Sequence, residues 1–199
     1  ESQLDELVHQ GLLGGEDVTS LSQAERVKRG LGRTFQINAL FPNVSVVDNV
    51  AFAVAEREGV AWKMFRPASG YRGVLDESMA LIETLGLAGD ARHTVAGLPY
   101  GKQRLVEIAI ALGLKPRVLL LDEPAAGVPS MESELILEVL DALPKDIAIL
   151  IIEHDMDLVF RFAQQITVLS QGLVLAHGTP AEITLNADVR KVYLGERHA

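Results

Sequence analysis

Short apolar runs alternate with helical patterns along this chain, the mark of an α/β protein. Residues 118–121 and 147–152 are unbroken apolar runs of strand length, each followed by acidic residues. Such runs suit strands covered on both faces of a parallel sheet. Residues 31–36 read as a further short strand. Helical patterns are expected from Ser45 to about Arg57, over 74–85, over 102–112, over 131–143 up to Pro144, and over 180–195. The segment over 102–112 is apolar nearly all round beyond its first residues, so it should be buried on most sides. Ser22-Gln23-Ala24-Glu25 has the form of a capping box, opening a short helix that Gly30 can close. Leu12-Leu13 leads into a turn at Gly14-Gly15-Glu16-Asp17. Residues 166–169 and 173–176, joined at Gln171-Gly172, look like a late antiparallel hairpin. Residues 58–73 hold three glycines and a proline and read as a loop or insertion.

Composition narrows the class. At 199 residues the chain is long enough for one domain or a core with a small lobe. It is 48% hydrophobic and 23% charged, which excludes a wholly disordered chain, collagen or a coiled coil. The net charge of −9 argues against a general binder of nucleic acid, because the attraction to phosphate has the wrong sign. Cysteine is absent, excluding disulfides, thiolate metal sites and cysteine nucleophiles. No apolar stretch approaches the roughly 20 residues a membrane-spanning helix needs.

In an open parallel sheet, ligands bind beyond the carboxyl ends of the strands. Asp122 and Glu123 follow the first apolar run; Glu153, His154 and Asp155 follow the second. A strand ending in Asp can place a magnesium ligand, and an adjacent carboxylate can polarise a water. The alternative is that these acids merely cap the next element. Leu98-Pro99-Tyr100-Gly101-Lys102-Gln103-Arg104 stands before the buried helix, where free N–H groups and the helix dipole favour an anion. Taken alone, that stretch reads as an ordinary loop entering a core helix.

Four blocks occur in order: Arg33-Thr34-Phe35-Gln36, the stretch from Leu98 to Arg104, Leu119-Leu120-Leu121-Asp122-Glu123-Pro124, and Ile152-Glu153-His154-Asp155. Gly101 precedes Asp122 by 21 positions, and Glu123 precedes His154 by 31. This arrangement resembles the nucleotide-binding subunits of ABC transporters, over essentially the whole chain after Leu12. The blocks are similar to that family's Q-loop, signature motif, Walker B motif with its following glutamate, and switch histidine. Gly32-Arg33-Thr34-Phe35-Gln36, Leu40-Phe41-Pro42, Val47-Asp48-Asn49-Val50, Ala125-Ala126-Gly127 and Gly178-Thr179-Pro180-Ala181-Glu182-Ile183 resemble the branched-chain amino acid importer type. Urea importers are the nearest competitor.

The resemblance implies an α/β fold with a P-loop NTPase-like (RecA-like) core, mainly parallel in its sheet, plus an α-helical subdomain. It implies three segments: 1–36 as a remnant of the core up to the Q-loop, 37–114 as the helical subdomain, and 115–199 as the rest of the core. It implies ATP and Mg2+ as cofactors. Asp122 would hold magnesium through water, with Gln36 touching the metal or its water. Glu123 would act as general base, and His154 would hydrogen-bond the γ-phosphate. Tyr100, Gly101, Lys102 and Gln103 would face the ATP of a second ATPase subunit paired head to tail. Transmembrane permease subunits would be partners, with Leu40, Phe41, Trp62 and Phe65 as contacts or simply as lobe packing. A periplasmic substrate-binding protein would be an indirect partner. The place of action would be the cytoplasmic face of the inner membrane.

Three departures qualify this. The phosphate loop G-x-x-x-x-G-K-[ST] is absent; the single Gly-Lys pair, Gly101-Lys102, is followed by Gln103. The family places that loop ahead of the Q-loop, together with an early strand carrying an adenine-stacking aromatic, so the chain is expected to be truncated or altered at its front. Pro99 and Lys102 stand where the signature usually has Ser and Gln. Pro129 stands where an acidic residue or Asn is usual. A catalytically incompetent fragment that keeps fold and interaction surfaces is therefore an alternative. So is a soluble ABC ATPase, against which the acidic charge and the absence of a long coiled-coil insertion argue.

Overall fold

A computed structural model describes residues 11–34, 40–61 and 71–194. The chain divides into two compact units, one ending at Ile152 and the other starting at Glu153.

The first unit opens with a hairpin of β1 (Leu12–Leu13) and β2 (Glu16–Asp17). Gly14 and Gly15 turn it at φ 59 and 85, the positive values that a two-residue hairpin turn demands. Helix α1 (Gln23–Lys28) carries the expected capping box: Ser22 accepts from the Glu25 N–H, and the Glu25 carboxylate accepts from the Ser22 N–H. Strand β3 covers Leu31–Arg33, shorter than expected. The Thr34 N–H still donates to the Leu120 carbonyl, while residues 35–36 lie outside the described residues.

Helix α2 (Val46–Arg57) is capped by Ser45, whose side chain accepts from the Asp48 N–H. It packs against α3 (Arg72–Thr84) and α4 (Tyr100–Gly113). Val46, Val50, Val54, Ile82, Leu105 and Ile108 are all but sealed from solvent there. Burying a branched aliphatic side chain contributes about 1.5–3 kcal/mol, so these residues hold the three helices together. Arg57 joins them by polar contacts: it donates to the Glu77 carboxylate of α3 at 2.7 and 2.8 Å and to the Gly113 carbonyl at the end of α4 at 2.6 Å.

Strand β4 (Val118–Asp122) leads through a loop to α5 (Ser130–Asp141), and β5 (Ala148–Ile152) follows. The sheet order is β3-β4-β5, all parallel, with Arg33 opposite Leu120 and Asp122 opposite Ile152. The expectation that both apolar runs are covered on both faces needs correction. Leu119 and Leu121 of β4 are buried, but Leu150 and Ile152 of β5 are 57% and 58% exposed. Alternation explains it: Leu120, Leu150 and Ile152 share one face of the sheet, and that face is incompletely covered among the described residues.

The second unit contains α6 (Met156–Phe162) and an antiparallel hairpin of β6 (Ile166–Ser170) and β7 (Leu173–Gly178). Gln171 and Gly172 turn the hairpin at φ 51 and 81. Helix α7 (Pro180–Leu185) starts with a capping box between Thr179 and Glu182. The single helix expected over 180–195 is interrupted at Asn186, which leaves the helical region and caps the turn at Ala187–Val189 with its side chain. Asn favours such a cap because its side-chain oxygen competes for backbone N–H groups. Ile166, Val168, Ile183 and Val189 form this unit's core.

Candidate functional site

The parallel sheet of the first unit delivers Arg33 and Asp122 to its carboxyl edge. Arg33 lies opposite Leu120, two positions before Asp122 on the same face. The Arg33 guanidinium stands 3.6 Å from the Asp122 carboxylate, whose side chain is 26% exposed. Glu123 comes next, and its N–H extends the ladder by donating to the Ile152 carbonyl at 2.9 Å. Its backbone is held at φ 45, a left-handed conformation rare for any residue but glycine, asparagine or aspartate. Such strain costs on the order of 1–3 kcal/mol and persists where surrounding structure enforces it, often at functional sites. The turn closes with Ala126 N–H on the Glu123 carbonyl and Val128 N–H on the Ala125 carbonyl. Gly127 passes the chain on at φ 72.

That turn lies against the start of α4. A Cβ at Gly127 would stand 3.6 Å from the Tyr100 ring. Pro99 occupies the N-cap of α4 and makes no side-chain capping hydrogen bond. The Gly101 N–H instead donates to the Glu132 carboxylate at 2.9 Å, from the first turn of α5. The structure therefore brings Tyr100 and Gly101 close to the loop after β4. It engages Lys102 with a residue outside that loop. Lys102 Nζ binds the Asp90 carboxylate at 2.6 Å, and Gln103 Nε2 donates to the Leu98 carbonyl. Lys102 holds the Asp90 carboxyl below its ordinary value, with His93 adding to the effect.

His154 belongs to the second unit, where its ring is 76% exposed and 4.0 Å from the Glu153 carboxylate. Gln36, Trp62 and Phe65 lie outside the described residues. Phe41 is exposed and meets Phe52 edge to face at 5.5 Å between ring centres.

Behind Tyr100, α4 buries an ion pair. Arg104 donates to Glu107 at 2.8 Å, and its guanidinium lies 5.3 Å from the Tyr100 ring centre. The other Glu107 oxygen has no hydrogen-bond partner among the described residues, and burial pushes the carboxyl up despite Arg104. Glu107, Arg26, Arg33 and Leu120 line a cavity of about 420 Å³. Neither Asp122 nor Glu123 lines it, but Arg33, the neighbour of Asp122, does.

Asp122 and Glu123 are hard oxygen donors that suit magnesium. Among the described residues no three His, Asp or Glu side chains converge to hold an ion by themselves. A metal held by Asp122 and Glu123 would take most of its oxygens from phosphate and water.

Comparison with known proteins shows the family. The family described as "ABC transporter" matches residues 5–126. The chain belongs to the ABC transporter family, as an ATP-binding subunit. The family described as "Branched-chain amino acid ATP-binding cassette transporter" matches residues 174–199. The chain is 35% identical over 192 residues to the high-affinity branched-chain amino acid transport ATP-binding protein LivG of Escherichia coli, covering 93% of this chain and 75% of that one. Identity to BraF of Pseudomonas aeruginosa, which carries the same description, is 35% over 191 residues, 92% of this chain and 75% of that protein. A solved ATP-binding cassette of an ABC transporter in its ADP conformation superposes with a TM-score of 0.75 at 25% identity, over 98% of this chain and 84% of the other. The α/β fold with a parallel sheet is that of the ABC ATPases.

Sequence reasoning missed three residues of this region: Arg33 as the neighbour of Asp122, Asp90 as the anchor of Lys102, and Glu132 as the cap of α4. Only Glu132 left a signal. It is an acid in a first helical turn, while Pro99 leaves the other helix without a side-chain cap.

Proposed function

We propose that this chain is the ATP-hydrolysing subunit that energises an importer of branched-chain or other hydrophobic amino acids. The observation that carries the chemistry is Glu123: it follows the end of β4 directly and is held at φ 45 beside Asp122. The substrate class rests on the two bacterial relatives, both described as branched-chain amino acid transport ATP-binding proteins.

In this reading two ATPase subunits pair head to tail around two ATP molecules. Glu123 orients the attacking water and accepts its proton. Asp122 holds Mg2+ through water, and Gln36 contributes to the same ion or its water. Magnesium neutralises charge on the phosphates. His154 donates to the γ-phosphate. Tyr100, Gly101, Lys102 and Gln103 face the partner subunit's nucleotide at the start of α4; Lys102 must leave Asp90 to do so. Residues 1–36 and 115–199 form the ATPase core, and 37–114 the helical lobe. Phe41 and Leu40, with Trp62 and Phe65, receive the permease subunits at the cytoplasmic face of the inner membrane. A periplasmic binding protein delivers substrate to that permease.

A second reading is a chain that keeps these surfaces without hydrolysing ATP. One observation favours it: Lys102 at the start of α4 is bound to Asp90, which withholds that cation from a nucleotide. Glu123→Gln separates the readings. It is expected to bind Mg-ATP, to hydrolyse it about 10²–10⁴-fold more slowly than the parent, and to accumulate as a dimer in size-exclusion chromatography. A parent protein that does not hydrolyse ATP supports the second reading, and parent-level turnover in the variant contradicts the role of Glu123.

A further inference from the structure

The start of α4 is occupied by a carboxylate of the chain itself. Glu132 lies in the first turn of α5, and its Oε2 accepts the Gly101 N–H of α4 at 2.9 Å. The positive ends of two helix dipoles therefore converge on one anion. The packing is close enough that a Cβ at Gly101 would fall on the Glu132 carboxylate and 2.8 Å from its Cβ. Pro99, the N-cap, supplies neither a hydroxyl nor an N–H, so the helix start depends on an acceptor brought from elsewhere. No cation compensates Glu132 from the adjacent signature position, because Lys102 is bound to Asp90.

We propose that Glu132 is a resident anion that competes with nucleotide phosphate for the start of α4. This rests on the reading of α4 as the helix that faces the partner's nucleotide. With the carboxylate in place, Gly101 is satisfied and a second anion meets like charge. When phosphate arrives, Glu132 gives up the Gly101 N–H, and α5 loses this hydrogen bond to α4. Phosphate binding at the start of α4 thereby acts on α5, the helix that follows the loop carrying Glu123. Glu132 is thus a positioning residue that sets the threshold for nucleotide-driven pairing.

Glu132→Gln keeps a carbonyl acceptor for the Gly101 N–H and removes the charge. Titration of the 199-residue chain with inorganic phosphate, followed at the Gly101 amide by NMR, is expected to give roughly fivefold or tighter binding in Glu132→Gln than in the parent. In the parent without phosphate, the Gly101 amide is expected to exchange slowly with solvent. Equal or weaker phosphate binding in the variant overturns the proposal. So does a parent Gly101 amide that exchanges as fast as an open one. Glu132→Asp, whose shorter side chain reaches Gly101 poorly but keeps the charge, is expected to fall between the two; if it binds phosphate as tightly as Glu132→Gln, charge competition is refuted. Failure here with ATP hydrolysis intact counts against Glu132 alone. Phosphate competition in a protein that never hydrolyses ATP counts against the ATPase reading alone.

Discussion

Glu123 is the residue where backbone and chemistry meet. An ordinary residue at φ 45 raises the energy of the folded state, and glycine relieves that strain. Glu123→Gly is therefore expected to stabilise the protein by about 1 kcal/mol in urea unfolding while abolishing hydrolysis. A variant that is less stable than its parent contradicts the claim that strain is held at this position for function. The acids at 122 and 123 were legible because an apolar run ending in two carboxylates is a local pattern. The left-handed backbone was not, since nothing about a glutamate announces it. The engagement of Lys102 was equally hidden: a lysine beside a helix start suggests phosphate, yet Asp90, twelve positions earlier, takes it.

At the scale of elements, the helical layer is tied by Arg57, which links the end of α2 to α3 and to the last turn of α4. Its side chain is 16% exposed, so removing it leaves Glu77 and the Gly113 carbonyl short of a charged donor. Arg57→Ala is expected to cost about 2–3 kcal/mol in chemical denaturation; a loss below about 0.5 kcal/mol means the link is only a surface pair. The hydrogen bond from Arg57 also holds the Glu77 carboxyl below its ordinary value of 4.5, with Lys115 adding to it. The folded state thus binds a proton at Glu77 less readily than the unfolded chain. The stability this gives is present above about pH 4.5 and is lost as pH falls through the lowered value. Glu77→Gln is expected to flatten that acid limb in unfolding curves between pH 6 and 3 (on the order of neutral to acid conditions); an unchanged acid limb rules out the pair as its source. The capping box at Ser22 and the glycine-bearing turns at Gly14-Gly15 and Gln171-Gly172 were legible because they are short-range, while the second capping box, Thr179 with Glu182, was not read from the sequence. The coverage of β5 was not. A run of apolar residues states that a strand seeks partners, and Leu150 and Ile152 show that the described residues do not supply them all.

For the whole molecule, the order and spacing of four motif blocks carried more than any one of them. Each block alone had an ordinary structural explanation, and together they matched one family over nearly the full chain. What the pattern left open is how the blocks are held. The link between α4 and α5 through Glu132 and Gly101 joins positions 31 apart in sequence, and only the fold brings them together. Net charge also reads differently at this scale. With a charge of −9, attraction to phosphate has to come from local features such as helix starts and a few cations rather than from the surface as a whole. The central claim is that this chain converts ATP hydrolysis into amino acid import. Its most direct test is leucine uptake by proteoliposomes containing the protein with the permease subunits and substrate-binding protein proposed as its partners, with ATP supplied on the side of the ATPase. The account predicts uptake that requires Mg-ATP and is lost in Glu123→Gln. Uptake at the parent rate in that variant, or no ATP-dependent uptake of any branched-chain amino acid by the parent assembly, contradicts it.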